Sequence, residues 1–178
     1  MEEKTVFTIG HSTHTQSEFV DLLMPFHITW LVDVRSGPGS RRYPQFNKSA
    51  MESWLGEAGI GYTHLPALGG RRAAVSGSRN TGLLGSGFRG YADYMETPEF
   101  FQAGEDLERL AMRQVTVFMC SEADPGNCHR SLLSDWLKHR GWEVVHIDAR
   151  GQAAAHTYTS AARIADGSLT YAAQDLGL

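Results

Sequence analysis

The regular alternation of strand-like and helix-like segments is the feature that most restricts how this chain of 178 residues can fold. Short runs of β-branched and aromatic residues each precede a stretch in which apolar residues recur every three or four positions. Such alternation favours right-handed βαβ units. We therefore predict an α/β fold of three layers, with a mostly parallel sheet of about five strands and helices on both faces. The predicted strands are VFTIG (6–10), WLVDVR (30–35), GYTHLPAL (61–68), VTVFMC (115–120) and EVVHI (143–147).

Capping signals place the ends of the predicted helices. The sequence TQSE at 15–18 has the Thr-x-x-Glu pattern of a capping box, which predicts that a helix begins there. A second helix is predicted between Asn47 as its cap and Gly59 as its stop. A Thr-Pro pair at 97–98 restarts a longer helical stretch, because proline suits the first helical position. Asn127 is predicted to cap the last helix of the core.

Length and composition favour a single domain, with a core from about residue 6 to 148 and a tail from 149 to 178. An Asp-Gly pair at 166–167 predicts a hairpin in that tail. No apolar run approaches the ~20 residues that a membrane span needs, and the N-terminal residues lack the pattern of a signal peptide. Two cysteines are too few for a secreted disulfide framework. We expect a cytoplasmic protein without membrane contacts, and the sequence indicates neither a cofactor nor an oligomeric state.

Charge is distributed unevenly along the chain, whose formal net charge is -4. Between Val34 and Gly90, seven arginines and one lysine face two glutamates, so this segment carries +6 and the remainder carries -10. Such asymmetry favours an anionic partner, either a phosphate-bearing small molecule or a nucleic acid. The alternative is a solvated basic face that pairs with acidic helices of the same protein or with an acidic protein partner.

Polar and mostly basic residues follow the predicted strands. In open α/β sheets, ligands bind outside the carboxyl ends of the strands, so these residues are expected to surround a binding site. A literal G-x-G-x-x-G at 85–90 follows no convincing strand and does not indicate a dinucleotide site. The candidate residues for binding an anion or another ligand are Ser12, Asp33, Arg35, Arg41, Arg71, Arg72, Arg89, Tyr91 and Arg130.

The stretch CSEADPGNCHR, from residue 120 to 130, concentrates thiols, carboxylates, an imidazole and a guanidinium. A phosphatase loop would have cysteine and arginine separated by five residues, and neither cysteine has an arginine at that distance. A zinc or iron site formed by Cys120, Cys128 and His129 would lack the usual ligand spacing. A redox pair remains open, although C-x7-C differs from the thioredoxin-like C-x-x-C.

The fourth interpretation of this stretch is an anion-binding loop at a helix start. Free backbone N–H groups and the helix dipole favour anions there, and they lower the pKa of a nearby thiol. We therefore take Glu122, Cys128, His129 and His11 as the candidates for acid–base or nucleophilic catalysis. The alternative role for Glu122, which the sequence supports equally well, is a salt bridge to a loop arginine.

Five blocks of the sequence resemble the signature blocks of domain-of-unknown-function family 488: TIGHST, LVDVRSGPGSRRYPQFN, YTHLPALGGRR, GFRGYADYM and CSEADPGNCHRSLLSDWL. The resemblance extends from about residue 7 to 147, and it implies an α/β fold without a settled biochemical activity. At residues 156–158 the chain departs from a His-Pro-Tyr pattern. The family's motifs fall on Gly10, His11, Ser12, Asp33, Arg35, Gly69, Gly70, Arg71, Arg89, Gly90, Tyr91, Cys120, Glu122, Cys128, His129 and Arg130.

Together these features favour binding of a phosphate-bearing ligand, a nucleotide or a nucleic acid, at the carboxyl edge of the sheet, and they leave open whether the protein is an enzyme. The alternative hypothesis is a metal- or thiol-based sensor or regulatory module that uses Cys120, Cys128 and His129.

Overall fold

A six-stranded sheet forms the centre of the computed structural model, which describes residues 3–173. The strands are β1 (Thr5–Gly10), β2 (Trp30–Asp33), β3 (Gly61–His64), β4 (Thr116–Cys120), β5 (Glu143–Ile147) and β6 (Ala153–Ala155), followed by β7 (Arg163–Ala165) and β8 (Ser168–Thr170) in a separate pair. The helices are α1 (Gln16–Leu23), α2 (Lys48–Glu57), α3 (Ser86–Tyr94), α4 (Pro98–Arg113) and α5 (Arg130–His139).

The strand order of the sheet is β3-β2-β4-β1-β5-β6. Strands β1 to β5 run parallel, and β6 pairs antiparallel with β5 at the edge. The predicted α/β class and mostly parallel sheet are therefore confirmed. The sequence did not predict β6, because its three alanines are exposed and have a low preference for strands.

Helices cover both faces of the sheet, because successive residues of each buried strand point to opposite sides. In β4, for example, Val117 belongs to one apolar cluster and Phe118 to the other. The cluster with Val117 includes Phe19 of α1 and Trp54 of α2, whereas the cluster with Phe118 includes residues of α3, α4 and α5. Two layers of helices thus shield a sheet that is apolar on both faces, as parallel sheets usually are.

The capping box of α1 forms as predicted: Thr15 Oγ1 accepts from the backbone N–H of Glu18 at 3.1 Å, and the Glu18 carboxylate accepts from the Thr15 N–H. Asn47 stands at the N-cap of α2, but its side chain accepts from the Ser40 N–H instead of from the helix. The prediction that Asn127 caps the last helix is wrong. Asn127 ends a short 3-10 turn, and the residue at the N-cap of α5 is His129.

The cause of that shift is Asp124, whose carboxylate accepts from the Gly126 backbone N–H at 2.8 Å and from the Asn127 side chain. Together with Pro125 it stabilises the 3-10 turn, which postpones the start of α5. Cys128 therefore has an extended backbone just before the helix. The Cys128 side chain is therefore placed before the first turn of α5 and not within it.

The glycine- and arginine-rich segment between β3 and α3 is fixed by polar contacts with α3. The Asp93 carboxylate accepts from the backbone N–H of Val75 and from the side chains of Ser78 and Asn80. The Arg72 guanidinium lies 3.7 Å above the ring of Tyr94. In the tail, Asp166 and Gly167 have φ angles of 50° and 76° between β7 and β8, which confirms the predicted hairpin. Along residues 3–173, no helix is both long and apolar enough to span a membrane.

Candidate functional site

A cavity of about 350 Å³ opens at the carboxyl edge of the sheet, where the sequence predicts a ligand site. Its walls come from the loops after β2, β3 and β4 and from the starts of α3 and α5. The lining residues are Arg35, Ser36, Gly37, Gly70, Arg71, Gly87, Phe88, Cys120, Ser121, Glu122, Asn127, Cys128 and His129. Three of the four predicted catalytic residues thus lie in one wall, whereas the fourth, His11, does not line the cavity.

Cys128 is the most perturbed of these groups. Its Sγ lies 2.8 Å from the Sγ of Cys120 and 3.4 Å from Nδ1 of His129. The hydrogen bond from Cys120 lowers the pKa of Cys128 most strongly, and the hydrogen bond and charge of His129 and the backbone N–H of Arg130 lower it further, from 9.0 to about 4. Burial acts in the opposite direction without reversing the shift. Cys128 is therefore a thiolate at neutral pH.

Cys120 has the opposite character. It ends β4 with 2% of its surface exposed, and burial raises the pKa of its thiol well above 9.0. The raised pKa of Cys120 and the lowered pKa of Cys128 favour a proton on Cys120, whose Sγ also lies 3.7 Å from the Glu122 carbonyl oxygen. The wall of the cavity thus contains one thiolate and one thiol in direct contact.

His129 holds the thiolate from the other side. Its Nε2 lies 3.1 Å from the carbonyl oxygen of Val34, which can only accept, so Nε2 carries a hydrogen. Nδ1 of the same ring lies 3.4 Å from the Cys128 sulfur, so the ring bridges the Val34 carbonyl and the thiolate. The contact also requires glycine at residue 70, because a Cβ there would lie 2.4 Å from Nδ1 of His129.

Arg35 lines the cavity and is fixed from behind. Its Nε and Nη2 donate to the Asp33 carboxylate at 2.9 and 2.7 Å, and Nη2 also donates to the Phe46 carbonyl. Asp33 is fully buried and accepts a further hydrogen bond from the Tyr62 hydroxyl at 2.6 Å. The guanidinium is therefore rigid, and Asp33 balances much of its charge before any ligand arrives.

His11 and Ser12 shape the loop behind Arg35 and do not line the cavity. His11 Nδ1 donates to the Ser12 carbonyl at 2.8 Å, and Nε2 accepts from Arg35 Nη1 at 3.3 Å. Burial lowers the pKa of His11 to about 4, so the ring is neutral at pH 7. The Ser12 backbone has a left-handed φ of 48°, and its N–H donates to the Ser121 carbonyl. Both residues support the site from its far side.

Arg130 points away from the cavity and is fully buried. Its Nη1 donates to Thr8 Oγ1 at 2.9 Å, and its Nη2 donates to the Glu122 carbonyl at 2.6 Å. The guanidinium therefore holds the backbone of the loop that carries the Glu122 side chain, which is exposed in the cavity. Arg130 is a positioning residue in this arrangement, although the sequence predicted an anion-binding role for it.

A chain of buried hydrogen bonds continues from Arg130 into the protein. Thr8 Oγ1 lies 2.8 Å from His146 Nδ1, His146 Nε2 lies 2.8 Å from His156 Nδ1, and His156 Nε2 lies 2.7 Å from Asp135 Oδ1. We call Arg130, Thr8, His146, His156 and Asp135 the buried relay. Burial, His156 and Arg130 lower the pKa of His146 to about 4, so every ring hydrogen has one consistent placement between the cation and the anion.

The remaining predicted residues divide between the cavity and its surroundings. Arg71 is exposed in the cavity wall, where its backbone N–H donates to Ser36 Oγ. The others do not line the cavity: Arg41 is exposed in the loop after β2, Arg72 donates to the Gly69 and Pro66 carbonyls, Arg89 donates to the Leu83 carbonyl, and the Tyr91 hydroxyl donates to the Leu68 carbonyl.

Within the described part of the chain, no group of three or more histidine, cysteine, aspartate and glutamate side chains is placed to hold a metal ion. Cys120, Cys128 and His129 lie close together but are not among such groups.

Sequence reasoning missed most of the buried relay and six of the residues that line the cavity, which are Ser36, Gly37, Gly87, Phe88, Ser121 and Asn127. A signal for the relay exists in the strands, because Thr8 and His146 interrupt otherwise apolar runs on the same side of adjacent strands. Asp135 offered no such signal, since charged residues are common on helices and only the docked tail buries this one.

Comparison of the chain with curated proteins and with solved structures found no match in either case. A comparison with protein families did find one: the family described as "Domain of unknown function DUF488" matches residues 15–137. The match covers more than half of the chain, and it contains every residue that lines the cavity. The chain therefore belongs to the DUF488 family of domains of unknown function.

Proposed function

We propose that this protein is a cysteine-dependent enzyme that binds a small phosphate-bearing molecule in the carboxyl-edge cavity and attacks it with Cys128. The single observation that carries the proposal is the geometry at Cys128, whose side chain lines the cavity with its Sγ 2.8 Å from Cys120 Sγ and 3.4 Å from His129 Nδ1. A buried structural cysteine has its pKa raised, as Cys120 has, so a lowered value needs an arrangement of donors around the sulfur. Such perturbed groups concentrate at functional sites.

The surroundings of the thiolate favour an anionic ligand. Arg71 is exposed in the wall, and its side chain has no acidic partner among the ion pairs of the described residues. The first turn of α3 contributes Gly87 and Phe88, and its N-cap is a glycine without a capping side chain. Uncapped N–H groups and the helix dipole favour phosphate at this position. The basic middle segment found in the sequence thus has part of its charge at the cavity.

The size of the cavity favours one small molecule over a polymer. Its volume of about 350 Å³ lies at the lower end of the roughly 300–1,000 Å³ of ligand sites. Phe88 offers an aromatic face at the wall, on which a nucleobase could stack. A mononucleotide, or a phosphorylated metabolite of similar size, is therefore the ligand class that we propose.

The reacting atom is better assigned to carbon than to phosphorus. The exposed Glu122 carboxylate would repel a phosphoryl group at the thiolate, and Arg130, the arginine nearest to Cys128 in sequence, is buried on the far side. In the proposed reaction, Cys128 Sγ forms a bond to an electrophilic carbon while the bond to the leaving group breaks. His129 donates its Nδ1 proton to that leaving group. The oxygen of a water molecule then bonds to that carbon while the C–S bond breaks and the Cys128 thiolate leaves. Glu122 takes the proton of this water, and the proton returns to His129 through solvent.

Thermal unfolding of the reduced protein tests the binding step. The ligands are inorganic phosphate, sulfate, mononucleotides and short single- and double-stranded DNA and RNA. A ligand at 100 times its dissociation constant should stabilise the protein by about 2.7 kcal/mol. Arg71→Ala should abolish this gain, whereas Arg41→Ala, which removes an exposed arginine outside the cavity, should keep it.

Each outcome has a distinct meaning. Stabilisation by mononucleotides that also protects Cys128 from iodoacetamide supports the proposal. Stabilisation by DNA or RNA alone, with a steep loss at higher salt, would replace the small ligand with a nucleic acid. No stabilisation by any anion, or an equal loss in Arg41→Ala and Arg71→Ala, would overturn the binding site.

A further inference from the structure

We propose that Cys120 and Cys128 form a reversible disulfide when a hydroperoxide oxidises Cys128, so that the site contains its own oxidation-sensitive switch. The geometry that carries this inference is the 2.8 Å contact between the two sulfurs, which lie in one cavity wall and at the ends of one short loop. As a way to regulate the nucleophile, the switch rests on the proposed function. Formation of the disulfide itself does not depend on that function.

The loop between the two cysteines keeps the sulfurs together. Arg130 holds the Glu122 carbonyl, and Asp124 organises the 3-10 turn that leads to Cys128. These hydrogen bonds do not involve either thiol, so they persist after oxidation. A disulfide has sulfurs about 2.05 Å apart, so the sulfurs must approach by less than roughly 1 Å. Side-chain rotation can supply such a movement without unfolding the loop.

The chemistry has two balanced steps. The Cys128 thiolate attacks the outer oxygen of a hydroperoxide, which breaks the O–O bond, oxidises the sulfur to a sulfenic acid and releases an alkoxide that takes up a proton. Cys120 then attacks the sulfenic sulfur, and hydroxide leaves with the Cys120 proton as water. Two thiols and one hydroperoxide thus yield one disulfide, one alcohol and one water, and an external thiol as reductant reverses the change.

A switch of this kind requires one reactive, accessible cysteine and one cysteine that reacts second, and the two cysteines differ in this way. Cys128 lines the cavity as a thiolate, so a small peroxide can reach a reactive sulfur. Cys120 is a protonated thiol with 2% exposure, so it reacts only after Cys128 has changed. The donors around Cys128 stabilise the reduced form, and stabilisation of the reduced form makes a disulfide easier to reduce. The bond is therefore expected to act as a switch and not as a structural link.

The test uses the reduced full chain and equimolar hydrogen peroxide. The free thiols should fall from two to none, the intact mass should decrease by two hydrogen atoms within a monomer, and dithiothreitol should restore both thiols. In Cys120→Ser, or in Cys120→Ala should that variant unfold, Cys128 should stop at a sulfenic acid that dimedone traps. In Cys128→Ser, Cys120 should react at least roughly 100-fold more slowly, because an unperturbed thiol of pKa 9.0 is only ~1% thiolate at pH 7 and burial raises the pKa of Cys120 further.

Several outcomes would overturn the switch: a persistent sulfenic or sulfinic acid in the parent protein, a disulfide only between molecules, or equally fast oxidation in Cys128→Ser. The ligand panel on reduced protein reports on the proposed function separately. A disulfide without ligand binding would leave the switch intact and remove the proposed function. Ligand binding without a disulfide would do the reverse.

Discussion

Two polar clusters adjoin the start of α5, and each contains at least one histidine and a carboxylate. The cavity cluster contains Cys128, His129 and Glu122, which line an open space. The buried relay contains two histidines, an arginine and an aspartate within the protein. The relay ends at Asp135, and both of its carboxylate oxygens accept hydrogen bonds from residues of the protein. The cavity cluster keeps a charged sulfur and an exposed carboxylate facing solvent.

The difference shows that residue type alone does not identify a functional site. His129 and Arg130 are adjacent in sequence, yet one contacts the thiolate and the other lies buried behind the loop. Hydrogen bonds that end within the protein stabilise one arrangement of it, whereas groups left open can bind and react. We therefore expect mutations in the relay to change stability, and mutations in the cavity cluster to change reactivity.

The largest effect is expected for Asp135→Ala. Asp135 accepts hydrogen bonds from His156, Thr159 and Tyr171, so its carboxylate anchors the tail to α5. Removing one partner of a buried charged pair costs about 3–5 kcal/mol, and we expect a loss of this size in the free energy of unfolding by urea. The matched control is Asp106→Ala in α4, where the side chain is 42% exposed and pairs with Arg109. It should change stability by less than about 0.5 kcal/mol. A loss below about 1 kcal/mol for Asp135→Ala would contradict the anchoring role.

The second largest effect is expected at acidic pH, where protonation of His146 in the buried relay should lower the free energy of unfolding. The folded protein holds His146 neutral with a pKa of about 4, whereas the unfolded value is 6.5. The unfolded chain therefore binds more protons, and stability falls as the pH decreases from about 6.5 to 4. At 1.36 kcal/mol per pKa unit, His146 contributes up to about 3 kcal/mol to this loss. In His146→Gln the dependence of stability on pH should be flatter, whereas the exposed control His27→Asn should keep the parental slope. Equal slopes in all three proteins would remove His146 from this role.

The sequence predicted the fold, and the carboxyl edge of the sheet as the place of the cavity, far better than it predicted which polar residues face the cavity. Periodicity located the five parallel strands, since an apolar strand between two helix layers has a local signature. The direction of Arg35, Arg71 and Arg130 has no such signature. Arg35 is held by Asp33 two residues away and by the Phe46 carbonyl, whereas Arg130 is held by Thr8, which is distant in sequence. The Arg71 side chain has no such hydrogen bond among those of the described residues, and only its backbone N–H is engaged.

The position of the thiolate was likewise predictable only in part. The sequence placed Cys128 near a helix start, and the structure places it just before the helix because Asp124 forms a 3-10 turn. The contact with Cys120 depends on β4 ending beside that turn, which spacing along the chain does not determine. The missed relay has the same origin, since the tail that buries Asp135 lies far from α5 in sequence.

A smaller loss of stability should follow Thr8→Val, which keeps the shape of the side chain and removes the hydroxyl between Arg130 and His146. A buried donor or acceptor that loses its partner costs about 1–3 kcal/mol, and we expect a decrease of this size in the free energy of urea unfolding. Since Thr8 does not line the cavity, alkylation of Cys128 by iodoacetamide should keep its parental dependence on pH. A shift of that profile would show that the relay and the cavity cluster are coupled.

The smallest effect in free energy is expected for His129→Asn, and it should appear in reactivity. The His129 ring is one of three groups that lower the pKa of Cys128, after Cys120 and together with the Arg130 backbone. Loss of a neighbouring opposite charge moves a pKa by about 1–3 units; with the other donors retained, we expect a rise of about one unit, or about 1.4 kcal/mol.

The rate of Cys128 alkylation measured against pH reports this change directly, because only the thiolate reacts. The parent should be almost fully reactive from pH 6 upward, with its inflection near the pKa of about 4, and the variant's inflection should lie about one unit higher. The control is His139→Asn at the far end of α5, where Nε2 of the ring lies 3.0 Å from the Gly167 carbonyl oxygen and the profile should not move. An unshifted His129→Asn profile would mean that Cys120 and the backbone N–H hold the thiolate without the imidazole. That outcome would also remove the support for His129 as the proton donor to the leaving group, because this role was assigned from its contact with the Cys128 sulfur.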